Sequence, residues 1–330
     1  MGKLNFRSRK VKLVVILLVL IPIVIYVAQT DFHQVRHYLA SIGGNFFYLL
    51  LVSSIAYYLG TLSWYVSLGK YKSNLSLFKL YVVRLICETI SLYNPTSIVG
   101  GDLYKIEVLK NYQVPKQTAF SSVLISRFTT ILSQIFLFML GVVWLLYFHG
   151  DSSILSLIGN YIFVLLGVLF SVKLLFMVWL FRPEQLQENF GEAKKNIVYQ
   201  IKSKLYEIKL HVQDHKSSFV LSYLYALLHW IIGSVEFYLI LLFIGFDSSI
   251  MGGVFMDMSV IVIKSFVAFI PGQIGVEELA NKFMLAAIGV QSATIWIAVS
   301  VLRRARQIFW IAIGGIFFWF IKKRSSYVSI

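Results

Sequence analysis

Cysteine, acidic charge and proline are all scarce in this chain. A single cysteine, Cys87, in 330 residues excludes an intrachain disulfide and a thiol-based metal site. Only 14% of residues are charged against 58% apolar, which leaves too little polar surface for a water-soluble domain. Several apolar runs approach or exceed the roughly 20 residues that cross hydrocarbon. This is the composition of an all-α, polytopic helical membrane protein; an outer-membrane barrel would show short alternating segments instead. No Gly-rich P-loop and no Cys/His ligand set is present, so neither ATP hydrolysis nor zinc is expected. No cofactor, metal or catalytic residue is assigned, and energy input would come from an ion gradient or the lipid gradient itself. Met1-Gly2 lacks Ser or Thr at the sixth position, which argues against myristoylation.

The 15 acidic residues face 30 basic ones, a net charge of +15. Lys and Arg cluster in short connections, as the positive-inside rule requires, and mark a cytoplasmic face. No basic-aromatic module stands apart from the apolar runs, so nucleic acid is excluded as a partner. Lys3, Arg7, Arg9, Lys10 and Lys12 precede an apolar run over 13–28. Its length and the poor cleavage-like residues at its end predict an uncleaved first span, not a signal peptide.

About six full spans are expected, over 11–29, 44–68, 117–148, 155–181, 218–246 and 291–321, with both termini in the cytoplasm. Residues 30–43 and 149–153 make short outer loops, and 182–216 make a cytoplasmic connection. Ile197, Ile201, Leu205 and Ile208 recur there at helical spacing, which predicts an amphipathic surface helix. The whole of 1–330 is one membrane domain.

Two stretches resist a continuous helix. In Tyr93-Asn94-Pro95-Thr96-Ser97-Ile98-Val99-Gly100-Gly101-Asp102, Pro95 removes a backbone donor and pushes Asn94 out of the helical region, and the glycine pair loosens the next turn. Phe269-Ile270-Pro271-Gly272-Gln273-Ile274-Gly275-Val276-Glu277-Glu278 repeats the order Pro, Gly, acid. Broken backbone at membrane depth survives only where protein or trapped water satisfies it. Each break follows a short apolar segment and precedes a long helix, and Ser122-Val123-Leu124 before Arg127 matches Ser300-Val301-Leu302 before Arg303. The halves 11–148 and 155–321 are therefore expected to form an inverted repeat, with two re-entrant elements dipping in from opposite faces around one site.

These residues resemble the lysylphosphatidylglycerol synthase transmembrane-region family over most of the chain. The carriers are Asn94-Pro95 with Gly100-Gly101-Asp102-Leu103-Tyr104-Lys105, Ser122-Val123-Leu124 with Arg127, and, most specific, Pro271-Gly272-Gln273-Ile274-Gly275-Val276-Glu277. The chain departs from the family pattern at Lys105, where Arg is frequent, at Gln273, where Gly is common, and at Ser126, often acidic. The resemblance implies a flippase-like membrane module and a lipid or lipid-linked substrate. The soluble aminoacyl-transfer domain of true synthases is absent before Ile330, so synthase activity is not expected.

Ionisable groups inside spans are costly and by default mark a pathway. Arg84 and Glu88 lie one helical turn apart and are placed to pair. Asp102 either caps a helix opened by the break or lies where helix N-termini bind phosphate directly. Arg127 needs a partner, either a lipid phosphate or Glu236 or Glu277. Arg303, Arg304 and Arg306 crowd one stretch of the last helix, and Arg303 is expected to face a polar cavity with Glu277 and Glu278 or a phosphate. His229 and Glu236 share one face, as do Asp257 and Lys264, which are placed to pair. The candidate substrate-binding set is Arg84, Asn94, Gly100, Gly101, Asp102, Lys105, Arg127, Pro271, Gly272, Gly275, Glu277, Arg303 and Arg304.

The expected function is flippase-like translocation of an anionic phospholipid or lipid-linked saccharide across the cytoplasmic membrane. Two alternatives stay open. One is a membrane transferase on a polyprenyl-phosphate or phospholipid, with Asp102 or Glu277 as base; the other is an accessory subunit in envelope polysaccharide assembly.

Overall fold

The computed structural model describes residues 42–93, 97–150, 161–182, 212–266 and 275–327, and isolated positions between 33 and 40 and between 206 and 210. The expected first span, Ile197, Ile201, Leu205 and Ile208 of the amphipathic connection, and Asn94, Pro95, Pro271, Gly272 and Gln273 lie outside the described residues. All regular structure among the described residues is helical. The helices are α1 (Phe46–Ser67), α2 (Leu77–Tyr93), α3 (Ser97–Lys110), α4 (Lys116–Phe148), α5 (Tyr161–Phe181), α6 (Lys216–Phe243), α7 (Ile250–Phe266), α8 (Val276–Ala287) and α9 (Ala293–Tyr327). Five of the six expected spans are present as helices long and apolar enough to cross a bilayer, namely α1, α4, α5, α6 and most of α9. Pro115 stands immediately before α4 with φ −55° and ψ 140°, where its fixed φ and missing donor cost nothing.

The short helices pair as two hairpins, α2 on α3 and α7 on α8. Gly100 and Gly101 are helical, inside α3, so they do not extend the break as their composition suggested. Helix propensity costs of about 1 kcal/mol per glycine are overridden by packing.

The packing of the two halves is reciprocal. α1 and α6 run antiparallel: Ser63 meets Ser222 at 3.0 Å, His229 meets the Ala56 carbonyl at 2.7 Å, and the Tyr48 and Phe243 rings are 6.5 Å apart. α2 lies on α9 and α7 lies on α4, so each hairpin packs against the long helix of the other half. The first hairpin begins in a buried cluster of Trp64, Leu68, Leu80, Val83, Leu109 and Val123. The second begins in a cluster of Leu49, Leu145, Phe237, Ile240, Phe255 and Val299. These clusters join opposite ends of α1 and α4, so the hairpins enter from opposite ends of the bundle, the arrangement an inverted repeat requires.

Lipid tails are as apolar as leucine, so helices in a bilayer associate through close packing and hydrogen bonds, with small residues at the contacts. The contacts between halves show both devices. A Cβ on Gly141 of α4 would lie 2.9 Å from the Phe255 Cα of α7, and one on Gly314 of α9 would lie 2.6 Å from the Leu85 carbonyl oxygen of α2. Where α1, α4 and α6 meet, the Ser222 hydroxyl is 3.0 Å from Ser63, 3.2 Å from Ser67 and 3.0 Å from Thr129. Lipid-facing α5 is the contrast: Phe163, Val164, Val168, Phe170 and Leu175 are all exposed.

Gly314→Ala should lower thermal stability in detergent by about 1–3 kcal/mol, the cost of overpacking against backbone. Gly315→Ala meets open space and should leave stability unchanged or slightly raised by helix propensity. Equal melting temperatures for the two variants would show that α2 does not approach α9 this closely.

Candidate functional site

Between the hairpins and the long helices lies a cavity of about 910 Å³. Its wall includes five basic side chains (Arg84, Arg127, Lys264, Arg303 and Arg306) and four acidic ones (Glu88, Asp102, Glu236 and Asp257). Both halves contribute to it, which is why no single sequence motif announces it.

In the first half, Asp102 sits well inside α3, not at its first turn. It caps nothing there; its partners are side chains. The Lys105 ammonium lies 3.0 Å from one carboxylate oxygen. The Arg127 guanidinium grips the other in a two-pronged contact, its Nε donating at 2.9 Å and its Nη2 donating beside it. Arg127 therefore bonds Asp102, not Glu236 or Glu277 as its depth in the helix had suggested. Its side chain keeps 38% exposure, so one edge of the pair faces the cavity's open space. Lys105 also lies over the Trp64 ring at 5.6 Å.

The second half repeats this pattern more tightly. Glu277, on the first turn of α8, accepts from Lys264 at 2.7 Å and from Arg303 Nε at 3.1 Å. Arg303 Nη2 donates to Asp257 at 3.2 Å, and the guanidinium carbon lies 3.9 Å over the Phe237 ring. Its side chain is only 6% exposed, and those of Asp257 and Glu277 are 7% and 4%. Arg304 points to Glu278 at 2.9 Å and is absent from the cavity wall. The Glu278 carboxylate also accepts the Gly275 N–H at 2.8 Å, where Gly275 holds φ +82°. That left-handed turn favours glycine and fixes the start of α8. The spacing of acid and arginine agrees between halves: Asp102 precedes Arg127 by 25 residues and Glu277 precedes Arg303 by 26.

Two expected pairs do not form. Asp257 and Lys264 share a face of α7 but turn to different partners, Arg303 and Glu277, because carboxylates and cations on other helices approach closer than the next turn does. Arg84 and Glu88 likewise do not pair. Arg84 Nη2 lies 3.3 Å from His229 Nε2, and its guanidinium carbon is 5.9 Å from the Tyr57 ring centre. The Ala56 carbonyl can only accept, so His229 Nδ1 donates to it; the guanidinium can only donate, so Nε2 accepts. The imidazole is therefore held neutral, as a positioned acceptor.

Arg306 and Glu236, outside the expected set, form a further cavity pair at 2.7 Å. The seven-residue spacing of His229 and Glu236 had marked that helix face as polar. Nothing in the linear sequence marked Glu236 as the partner of Arg306, 70 residues away. Of the expected set, Arg84, Asp102, Arg127 and Arg303 line the cavity, while Lys105, Glu277 and Arg304 pair behind its wall. Gly101 is buried within α3. Among the described residues no group of three or more His, Cys, Asp and Glu side chains is arranged to hold a metal ion.

The family model described as the lysylphosphatidylglycerol synthase TM region matches residues 10–315. A UPF0104 membrane protein of Pyrococcus horikoshii is 24% identical over 303 residues, which cover 85% of this chain and 88% of that protein. No solved structure matches the chain significantly.

The two arginine clusters should respond differently to neutralisation. Arg303→Met leaves Asp257 and Glu277 without their shared counter-ion in a sealed setting and should cost about 3–5 kcal/mol. Arg127→Met breaks a half-exposed pair and should cost no more than about 1 kcal/mol. Thermal unfolding of the two variants in uncharged detergent measures this directly. Equal losses would mean that the second cluster is no more enclosed than the first.

Proposed function

The chain belongs to the lysylphosphatidylglycerol synthase transmembrane-region family, and from that premise we propose that it is a flippase-like translocator of an anionic membrane lipid. The observation that carries this reading is the charged cavity, lined by side chains of both hairpins and of the long helices. A cavity of this size is at the upper end of small-molecule sites and suits a polar headgroup whose acyl chains stay in lipid. Arginines with planar donor forks suit phosphate oxygens, and Arg127 keeps an accessible edge.

The exposures of the two matched pairs differ: Asp102–Arg127 is partly open to the cavity, whereas Glu277–Arg303 is nearly buried, with Arg303 reaching the wall. In a translocator built from inverted halves, the alternate state exchanges these conditions, opening the second pair as the first closes. The connections at the end where α2 begins carry Lys70, Lys72, Lys79, Lys110 and Lys116, and the positive-inside rule assigns that end to the cytoplasm. The protein would then sit in the cytoplasmic membrane, with its open pair facing the inner leaflet.

Reconstitution into phosphatidylcholine vesicles containing headgroup-labelled phosphatidylglycerol tests the proposal. The wild-type protein should make inner-leaflet label accessible to an external quencher, and Arg127→Gln should slow that exchange about tenfold or more, the loss expected for a charge-assisted hydrogen bond. An exchange rate no faster than in protein-free vesicles would sink the reading. A new lipid product formed with an activated sugar would transfer it to the transferase class.

A further inference from the structure

α5 is packed at its two ends and only loosely between them. Its buried residues are Ile162 near one end and Leu180 near the other. The face it turns inward runs Ile162, Leu166, Leu169, Lys173, Phe176 and Leu180 at helical spacing, and the middle four are only partly covered. Lys173 is the one charged group in that helix. Its ammonium donates to the Tyr223 hydroxyl at 3.3 Å and lies 4.3 Å from the Phe136 ring centre and 5.6 Å from that of Tyr223. A cation inside a span is costly and by default has an anionic partner or a pathway to serve. Neither α4 nor α5 contains an acidic residue. The single acid of α6, Glu236, is held by Arg306 about 20 Å farther along that helix. An ammonium has three N–H donors; among the described residues Tyr223 takes one, and the two rings offer only their faces.

We propose that the groove under the middle of α5 is a second lipid site, in which Lys173 holds the phosphate of an anionic phospholipid from the inner leaflet. The site is separate from the cavity. Lys173, Phe136 and Tyr223 are absent from the cavity wall, and Trp230 closes the seam between α4 and α6 by donating to the Thr130 carbonyl at 3.1 Å. Access is from the side: Lys173 is partly exposed, and its neighbours Val172, Leu174 and Leu175 are 57%, 51% and 67% exposed. Such a setting admits acyl chains and bars a bare hydrophilic ion. The leaflet follows from depth. Lys173 lies about 12 Å from the Phe181 end of α5 and about 18 Å from the Tyr161 end, and Tyr223 about 10 Å from the start of α6. Ser222, beside Tyr223, meets Ser63 and Ser67 just before the basic stretch with Lys70 and Lys72, the end assigned to the cytoplasm. Local bilayer thinning and water entry beside a charged span bring a headgroup to this depth. The site goes beyond the translocator reading, since a lipid held here lies outside the cavity whether or not the cavity moves lipid.

Photo-labelling maps the site. The protein in phosphatidylcholine nanodiscs receives a phosphatidylglycerol or a phosphatidylcholine probe with a diazirine at the glycerol end of one acyl chain, and labelled peptides are identified by mass spectrometry. The phosphatidylglycerol probe should label α5 and the facing parts of α4 and α6 about tenfold more than the phosphatidylcholine probe, the discrimination expected of a charge-assisted hydrogen bond. Lys173→Met should remove that preference, and Lys173→Arg should keep it. Excess unlabelled phosphatidylglycerol should compete, whereas inorganic phosphate and oleate should not. Equal labelling of the wild type by the two probes overturns the proposal, since the groove is then ordinary lipid-facing surface; so does undiminished labelling of Lys173→Met. Competition by inorganic phosphate or oleate as strong as by phosphatidylglycerol overturns the assignment to a phospholipid. In lipid-free detergent Lys173→Met should melt no lower than the wild type; a lower melting temperature with unchanged labelling would show a lysine that only braces α5 on Tyr223. Lys173-dependent label without lipid movement in vesicles leaves the site standing while the translocator reading falls, and movement without such label does the reverse.

Discussion

A guanidinium cannot be left bare at the depth of a bilayer, and that constraint organises this molecule. The two longest helices, α4 and α9, carry Arg127, Arg303, Arg304 and Arg306 along their length. The acids that match most of them come from short helices: Asp102 from α3, Asp257 from α7, Glu277 and Glu278 from α8. The hairpins are thus the means by which carboxylates reach mid-bundle without a further complete crossing. Since desolvation of each charge is worth several kcal/mol, a hairpin displaced by one helical turn would strand both an acid and an arginine. Burial of these pairs fixes where the hairpins sit more than it adds to stability.

The remainder of the fold has to achieve close packing without a hydrophobic gradient between helix and lipid. It does so with glycine contacts and hydroxyl bonds at the joints between halves, such as Gly141 beneath Phe255, Gly314 beneath Leu85 and Ser222 among Ser63, Ser67 and Thr129. Each hairpin packs on the long helix of the opposite half, so a shift in one half is felt at the other's ion pairs. The Asp102–Arg127 and Glu277–Arg303 pairs differ in exposure, 19% and 38% for the side chains of the first against 4% and 6% for those of the second.

Much of this was legible in the order of residues. Length and composition gave the class, and apolar runs gave five of the described spans to within a few residues. Short helices were expected on either side of Pro95 and Pro271, and α2, α3, α7 and α8 are found there. The helix assignments erred only where a propensity was outvoted, as at Gly100 and Gly101, which α3 absorbs. Side-chain partnership was far less legible. The i,i+4 rule proposed Arg84 with Glu88, and the i,i+7 rule proposed Asp257 with Lys264. Neither could weigh a group arriving from another helix: His229 stands 145 residues from Arg84, Arg303 46 from Asp257, and Glu277 13 from Lys264.

Apolar run length and composition by themselves settled that this is a multi-pass helical protein with short helices between its long ones and arginines in its last long helix. The reason is that bilayer thickness and backbone hydrogen bonding act locally along the chain. The tertiary structure alone decided which acid answers which arginine, that Arg306 belongs with Glu236, and that Arg84 is left to Gly60, Tyr57 and His229. Coulomb energy depends on distance in space and on local burial, and sequence separation carries neither.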